Sequence, residues 1–212
     1  MSHVLARLAG HGVTLVPWWP YGFERSPDTP GVVTVIHGAG EATRTAAVDV
    51  TDARTVEHVV EVLPGPGEKV WRIETSQYSV IWPDAFAIES PPTGDSTPFY
   101  LWGPDESLIY PQGPLARDRI PPLVELAGPG QTMVSQQRDP GLESVHLAYR
   151  HEGESWRQSH HLVPFGGGRA LVITAQALAA HADLTWQAAQ AVARSVTARP
   201  PGSSATAGPP RL

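Results

Sequence analysis

Ser144-Val-His-Leu-Ala-Tyr-Arg150 alternates in polarity, with Val145, Leu147 and Tyr149 on one face. It runs through His151-Glu-Gly-Glu154 into Trp156-Arg-Gln-Ser-His-His-Leu-Val163, and from there through Pro164-Phe-Gly-Gly-Gly168 into Arg169-Ala-Leu-Val-Ile-Thr-Ala175. A period of two predicts strands, and the last run is dense enough in β-branched and aliphatic residues for a central one. Three strands joined by short glycine turns form a meander, and its apolar face needs cover. The run from about Asp183 to Ala198 predicts the helix that supplies it. Trp186, Ala189, Ala193 and Val196 recur there as one narrow stripe, with Val192 beside it and Gln187, Gln190 and Arg194 facing solvent. Trp186 is the large anchor near the start of that stripe. Asp183 or Thr185 is suited to cap the helix.

Working outward, short strands are predicted over residues 13–16, 31–36, 44–50, 70–75, 78–82, 86–90, 99–102, 107–110 and 131–137. His37-Gly-Ala-Gly-Glu41 joins the second and third of these as a hairpin loop. Pro17-Trp-Trp-Pro-Tyr-Gly-Phe23 is broken by prolines and is read as irregular. Three further helices are expected. Residues 2–9, with Leu5 and Leu8 on one side, close at Gly10. Residues 52–62, with Leu63 just beyond, place Val56, Val59, Val60 and Leu63 at helical spacing, capped by Thr51 or Asp52 and stopped by Pro64. Pro121-Pro122 opens a short helix through Ala127. The fold class expected is therefore α+β, an antiparallel β-sheet covered by a C-terminal helix and one or two further helices. Pro64-Gly-Pro-Gly67 suggests a boundary. Residues 1–67 then form an α/β extension packed on the main sheet, 68–198 the main domain, and 199–212 a disordered tail without core-forming residues.

At 212 residues the chain is long enough for one sizeable core, and its 41% apolar content suits a globular protein. Net charge is -6, with Lys69 the single lysine among fifteen basic residues. No basic stripe forms, so no nucleic-acid partner is expected. The absence of cysteine excludes disulfides, thiolate catalysis and cysteine metal sites. Neither a secretory leader nor a run of membrane-spanning length is present, so a cytoplasmic protein without a membrane partner is expected.

Tyr78-Ser-Val-Ile-Trp-Pro83 followed by Phe86-Ala-Ile88, and Leu171-Val-Ile-Thr-Ala-Gln-Ala177 running into a terminal helix, resemble the PsbP-like superfamily over about residues 69–198. That group includes a photosystem extrinsic subunit, a nuclear-import Ran-binding factor and many bacterial proteins. Phe86 stands where the family usually has tryptophan. The resemblance implies an α+β fold and a role in binding proteins or stabilising assemblies. It implies no shared catalytic apparatus and carries over no functional residue.

Among residues able to carry chemistry, His146, His151, His160 and His161 sit on the two strands of one hairpin. A two-residue Gly153-Glu154 turn places His146 opposite His161, and a three-residue Glu152-Gly-Glu154 loop places it opposite His160. Either register pairs two imidazoles, and His146, His160 and His161 are the residues from which a zinc or copper site would be built. A third ligand is needed and none is evident, so no metal and no cofactor are expected. His37-Gly-Ala-Gly40 resembles an esterase oxyanion loop, but the Gly-x-Ser-x-Gly elbow that chemistry needs is absent. The glycine loop before Arg169 lacks the lysine and following helix of a P-loop. Trp18, Trp19, Tyr21 and Phe23, with Trp102 in the middle strands, are the candidate binding residues, able to line an apolar pocket or a partner surface. The expectation is a non-enzymatic protein that binds a partner protein or stabilises an assembly. The competing reading is a small-molecule enzyme or ligand-binding protein, with its pocket between the sheet and the aromatic loop at residues 18–23.

Overall fold

The computed structural model describes residues 6–199. The chain opens with β1 (Arg7–Gly10), β2 (Val13–Pro17), β3 (Tyr21–Arg25), β4 (Val32–His37), β5 (Arg44–Asp49) and β6 (Val60–Pro64). Short strands follow as β7 (Arg72–Glu74), β8 (Tyr78–Ile81), β9 (Ala87–Glu89) and β10 (Tyr100–Trp102). The long strands come last: β11 (Leu108–Ala116), β12 (Thr132–Asp139), β13 (Leu142–His151), β14 (Glu154–Phe165) and β15 (Arg169–Leu178). Helix α1 (Ala182–Arg194) and the two-residue β16 (Thr197–Ala198) end the described chain.

These strands make two antiparallel sheets. One has six strands in the order β16-β8-β7-β1-β2-β6, the other ten in the order β12-β13-β14-β15-β11-β10-β9-β3-β4-β5. Residues 6–64 supply three strands to each sheet. Leu8, Leu15, Ile73 and Val80 of the smaller sheet pack with Phe23, Val35, Ile88, Leu101 and Ile109 of the larger, all at most 1% exposed. Alternating apolar residues of two sheets interdigitating in this way is the packing of a β-sandwich.

Helix α1 takes the same side as the smaller sheet, lying on β14 and β15 and touching β8. Ala189, Val192 and Ala193 face that core, and the small alanines let the helix axis come close to the sheet. Its C-terminal end is tied down by side chains. Arg72 donates to the Ser195 carbonyl (2.9 Å), the Ser195 hydroxyl accepts from the Ile81 N–H (2.9 Å), and Glu74 accepts from both Arg7 and Arg199. On the opposite face of the meander, Val145, Leu147, Leu162 and Val172 form a second core covered by Ile120 and Leu123.

The α+β expectation is corrected: the protein is mostly β, with two antiparallel sheets and one α-helix among the described residues. The helix expected over 52–62 is instead a turn followed by β6, which pairs with β2. Thr55, Val56, Val59, Val60 and Val62 are β-branched and favour the extended backbone, and His58 at φ 61° breaks any helix through them. Of the first expected helix, residues 7–9 lie in strand β1, paired with β2 and β7. Leu5, expected on its apolar side, lies outside the described residues. The segment at 121–127 makes only a 3-10 turn, Leu123–Leu126. Covers for a sheet face need apolar area rather than helix, and a turn carrying Leu123 suffices. Tyr21 to Phe23, expected to be irregular, belong to a regular strand because the backbone of β3 pairs with both β4 and β9. The tail beyond residue 199 lies outside the described residues.

Candidate functional site: a histidine cleft beside the helix

The β13–β14 hairpin turns on Glu152 and Gly153, at φ 51° and 86°, with His151 paired to Glu154. Two successive positive φ values match the tight turn whose twist suits a hairpin. This register puts His146 opposite Ser159, not opposite a histidine, and Ser144 opposite His161. Both expected pairings are thereby corrected. His146 and His161 remain on one face as diagonal neighbours, with ring centroids 6.0 Å apart and planes at 89°. His160 points to the other face, where its Nδ1 is 3.0 Å from the Thr174 hydroxyl. The three histidines therefore do not converge. Among the described residues no cluster of three or more His, Cys, Asp or Glu side chains is placed to hold a metal ion.

Over the His146–His161 pair stands Trp186 of α1, 4.3 Å from the His146 ring centroid. Between the helix and strands β12 to β14 lies a cleft of about 260 Å³ lined by Ser135, Gln137, His146, His161, Asp183, Trp186, Gln187 and Gln190. His161 is 1% and His146 8% exposed. Burial holds both imidazoles below the ordinary histidine pKa, that of His161 to about 4 with a further push from His146 and His160. Both are therefore neutral at pH 7.

The cleft has an unbalanced hydrogen-bond account. His146 Nδ1, His161 Nδ1 and Trp186 Nε1 are buried and lack partners. Buried polar nitrogens are normally satisfied, and these three leave unused hydrogen-bonding capacity on side chains that line one cleft. The opposite nitrogen of His161, Nε2, lies 3.1 Å from the Ser159 hydroxyl. If that hydroxyl donates, the ring proton sits on Nδ1 and His161 offers a donor. Trp186 Nε1 can only donate. The Ser159–His161 pair does not make a nucleophile: Ser159 is wholly buried, and no carboxylate orients His161 Nδ1.

The aromatic candidates are dispersed. Tyr21 is 4% exposed, its hydroxyl accepting from the Ala6 N–H (3.0 Å) and donating to the Pro98 carbonyl (3.4 Å). Phe23 is a core residue of β3, and Trp19 packs half-buried against the same core. Trp18 is exposed, edge-on to His58 at 5.7 Å, and Trp102 is exposed at the end of β10. Gln187 and Gln190, a plain solvent face by sequence, line the cleft. Ser135 and Gln137 carry no signal in the sequence. Nothing in the local pattern distinguishes them, because their place depends on how β12 pairs with β13.

No family model matches this chain, and no curated protein matches it in sequence. Among solved structures, a likeness is found to LpqN of Mycobacterium tuberculosis, described as involved in cell envelope biogenesis. It has TM-score 0.42 and 18% identity, covering 58% of this chain and 83% of that one. Similarity at this level carries no argument about function, and the PsbP-like resemblance gains no support from these comparisons. Among the described residues no helix is long and apolar enough to cross a membrane.

Proposed function

We propose that the protein is a binding protein for a small, uncharged, hydroxyl-bearing molecule held in the histidine cleft. The observation that carries this is the lining of the cleft, where two neutral imidazoles, three glutamine amides, Ser135 and the Trp186 indole meet. The lining contains no Arg or Lys to neutralise an anion. Its one carboxylate, Asp183, accepts from a hydroxyl group, and the Trp186 side chain carries only a donor. Neutral imidazoles and the Gln137, Gln187 and Gln190 amides can both donate and accept, and hydroxyl groups match that mixture. The volume suits something about the size of one sugar ring, below the usual range for drug-sized ligands. Of the two classes weighed from the sequence, the geometry thus favours a ligand-binding protein over one defined by a protein partner. With Ser159 sealed and His161 unoriented, the cleft binds without chemistry.

The test is a titration of glucose, galactose, mannose and myo-inositol into protein labelled with 15N-histidine. At least one should shift the His146 and His161 imidazole resonances saturably, and Gln190→Ala should weaken that ligand about tenfold. If none of the four moves either imidazole, the reading fails.

A further inference from the structure

On another side of α1 lies a larger cavity of about 600 Å³, whose lining includes His11, Arg25, Lys69, Trp71, Trp82 and Leu184. Its composition differs in kind from that of the histidine cleft. Two indoles and aliphatic side chains make the walls, and basic groups come from three separate segments of the chain. We infer that this cavity is a second binding site, taking an organic monocarboxylate with an apolar body.

Arg25 anchors the polar end of this cavity. Its guanidinium lies 4.4 Å from the Trp82 ring centroid, its Nη1 donates to Asp84 at 2.7 Å, and its Nη2 donates to the Trp82 carbonyl. These contacts fix the side chain in place, so a ligand meets a preformed positive charge rather than a mobile one. Its Nε is buried and has no partner, leaving an unused donor on a charged group. Asp84 is 92% exposed, and water screens its hold on Arg25. Counting Arg25 and Lys69 against Asp84, the lining carries one positive charge in excess, and one carboxylate balances it.

His11 reports the same field. It sits in the β1–β2 turn with its ring 4.8 Å from that of Trp71. Burial lowers its pKa first, and the charges of Arg25 and Lys69 lower it further. The potential of both cations therefore reaches the same corner of the cavity. Val70, Ile81, Leu184 and Ala188 are among the aliphatic side chains of the wall. A cavity of several hundred Å³ with mostly apolar lining and a few convergent polar groups is the ordinary form of a small-molecule site.

Calorimetric titration of the full chain with 2-naphthoate and octanoate, each beside its neutral amide, tests the inference. The carboxylates should bind at least about tenfold tighter than 2-naphthamide and octanamide. Arg25→Gln should abolish that preference. Because Arg25 also packs on Trp82, Leu184→Trp provides a second variant that fills the cavity from the helix and leaves the guanidinium intact. It should weaken both carboxylates while leaving the response of His146 to sugars unchanged. Equal binding of carboxylate and amide, or full carboxylate binding by Leu184→Trp, would overturn the assignment. So would inorganic phosphate binding as tightly as the carboxylates, since that would make it an ion site and not a pocket.

Discussion

The indole of Trp186 meets the imidazole of His146 edge to face, with centroids 4.3 Å apart and planes at 72°. The contact joins the first half of α1 to the middle of β13 and forms one wall of the cleft. Trp186 is only partly buried, whereas Thr185, Ala189, Val192 and Ala193 are the deepest helix positions. The large anchor expected from the helical stripe thus stands at the rim of the core. Replacing Trp186 with alanine should therefore cost about 1–2 kcal/mol, less than emptying a fully buried aromatic site. It should also let water reach His146, relieving the desolvation that lowers its pKa. The His146 titration followed by NMR should then move upward toward that of a free histidine. An unmoved titration would show that Trp186 does not shield the ring.

His160 and His161 are buried neutral, each with a pKa of about 4 in the folded protein against 6.5 for an ordinary histidine. Between these values the unfolded chain binds protons that the folded one refuses, so stability rises with pH across that window. Acidification from about pH 6.5 to about pH 4 should remove roughly 3 kcal/mol for each histidine, because a tenfold difference in proton affinity is worth about 1.4 kcal/mol. Denaturant midpoints measured across this range should fall steeply in the wild type. The fall should be shallower in His160→Gln and His161→Gln, and parallel curves would refute the assignment.

Val59 is 3% exposed and Val56 37%, although a helix over 52–62 would bury both. Val59→Asp should destabilise by about 3 kcal/mol, because an unpaired charge would enter the core. Val56→Asp should cost less than about 1 kcal/mol. Equal losses in thermal melts would favour the helix over the turn and strand.

Glu152 occupies the first position of the β13–β14 turn with φ 51°, a conformation unfavourable for most side chains and tolerated by asparagine. Glu152→Asn should raise stability by about 0.5–1 kcal/mol. A neutral or negative change in the chemical midpoint would indicate a different turn.

Most strands were legible because a half-buried strand must alternate, and the alternation of Val145, Leu147 and Tyr149 or the density of residues 169–175 shows without any partner. The terminal helix was legible for the same local reason, and so was its alanine-rich inner face, but it ends at Arg194, short of Val196, and residues 197–198 pair with β8 instead. The fold class was not. Val56, Val59, Val60 and Leu63 fit a helical period by coincidence, and only pairing of β6 with β2 decides for the strand. The histidine cleft shows the division most sharply. That His146 shares a strand face with a histidine of β14 follows from alternation alone. Which histidine, and what covers the pair, does not. A one-residue change of turn exchanges His160 for His161, because side chains flip faces with every step of register. The backbone geometry at Glu152 and Gly153 sets that register, and the docking of α1 across β14 and β15 brings Trp186, Gln187 and Gln190 to it. Composition and periodicity thus determine most strands and the terminal helix, whereas pairing with β2 makes β1 and β6 strands. The convergence of residues far apart in the chain depends on long-range pairing and packing, which no local stretch encodes.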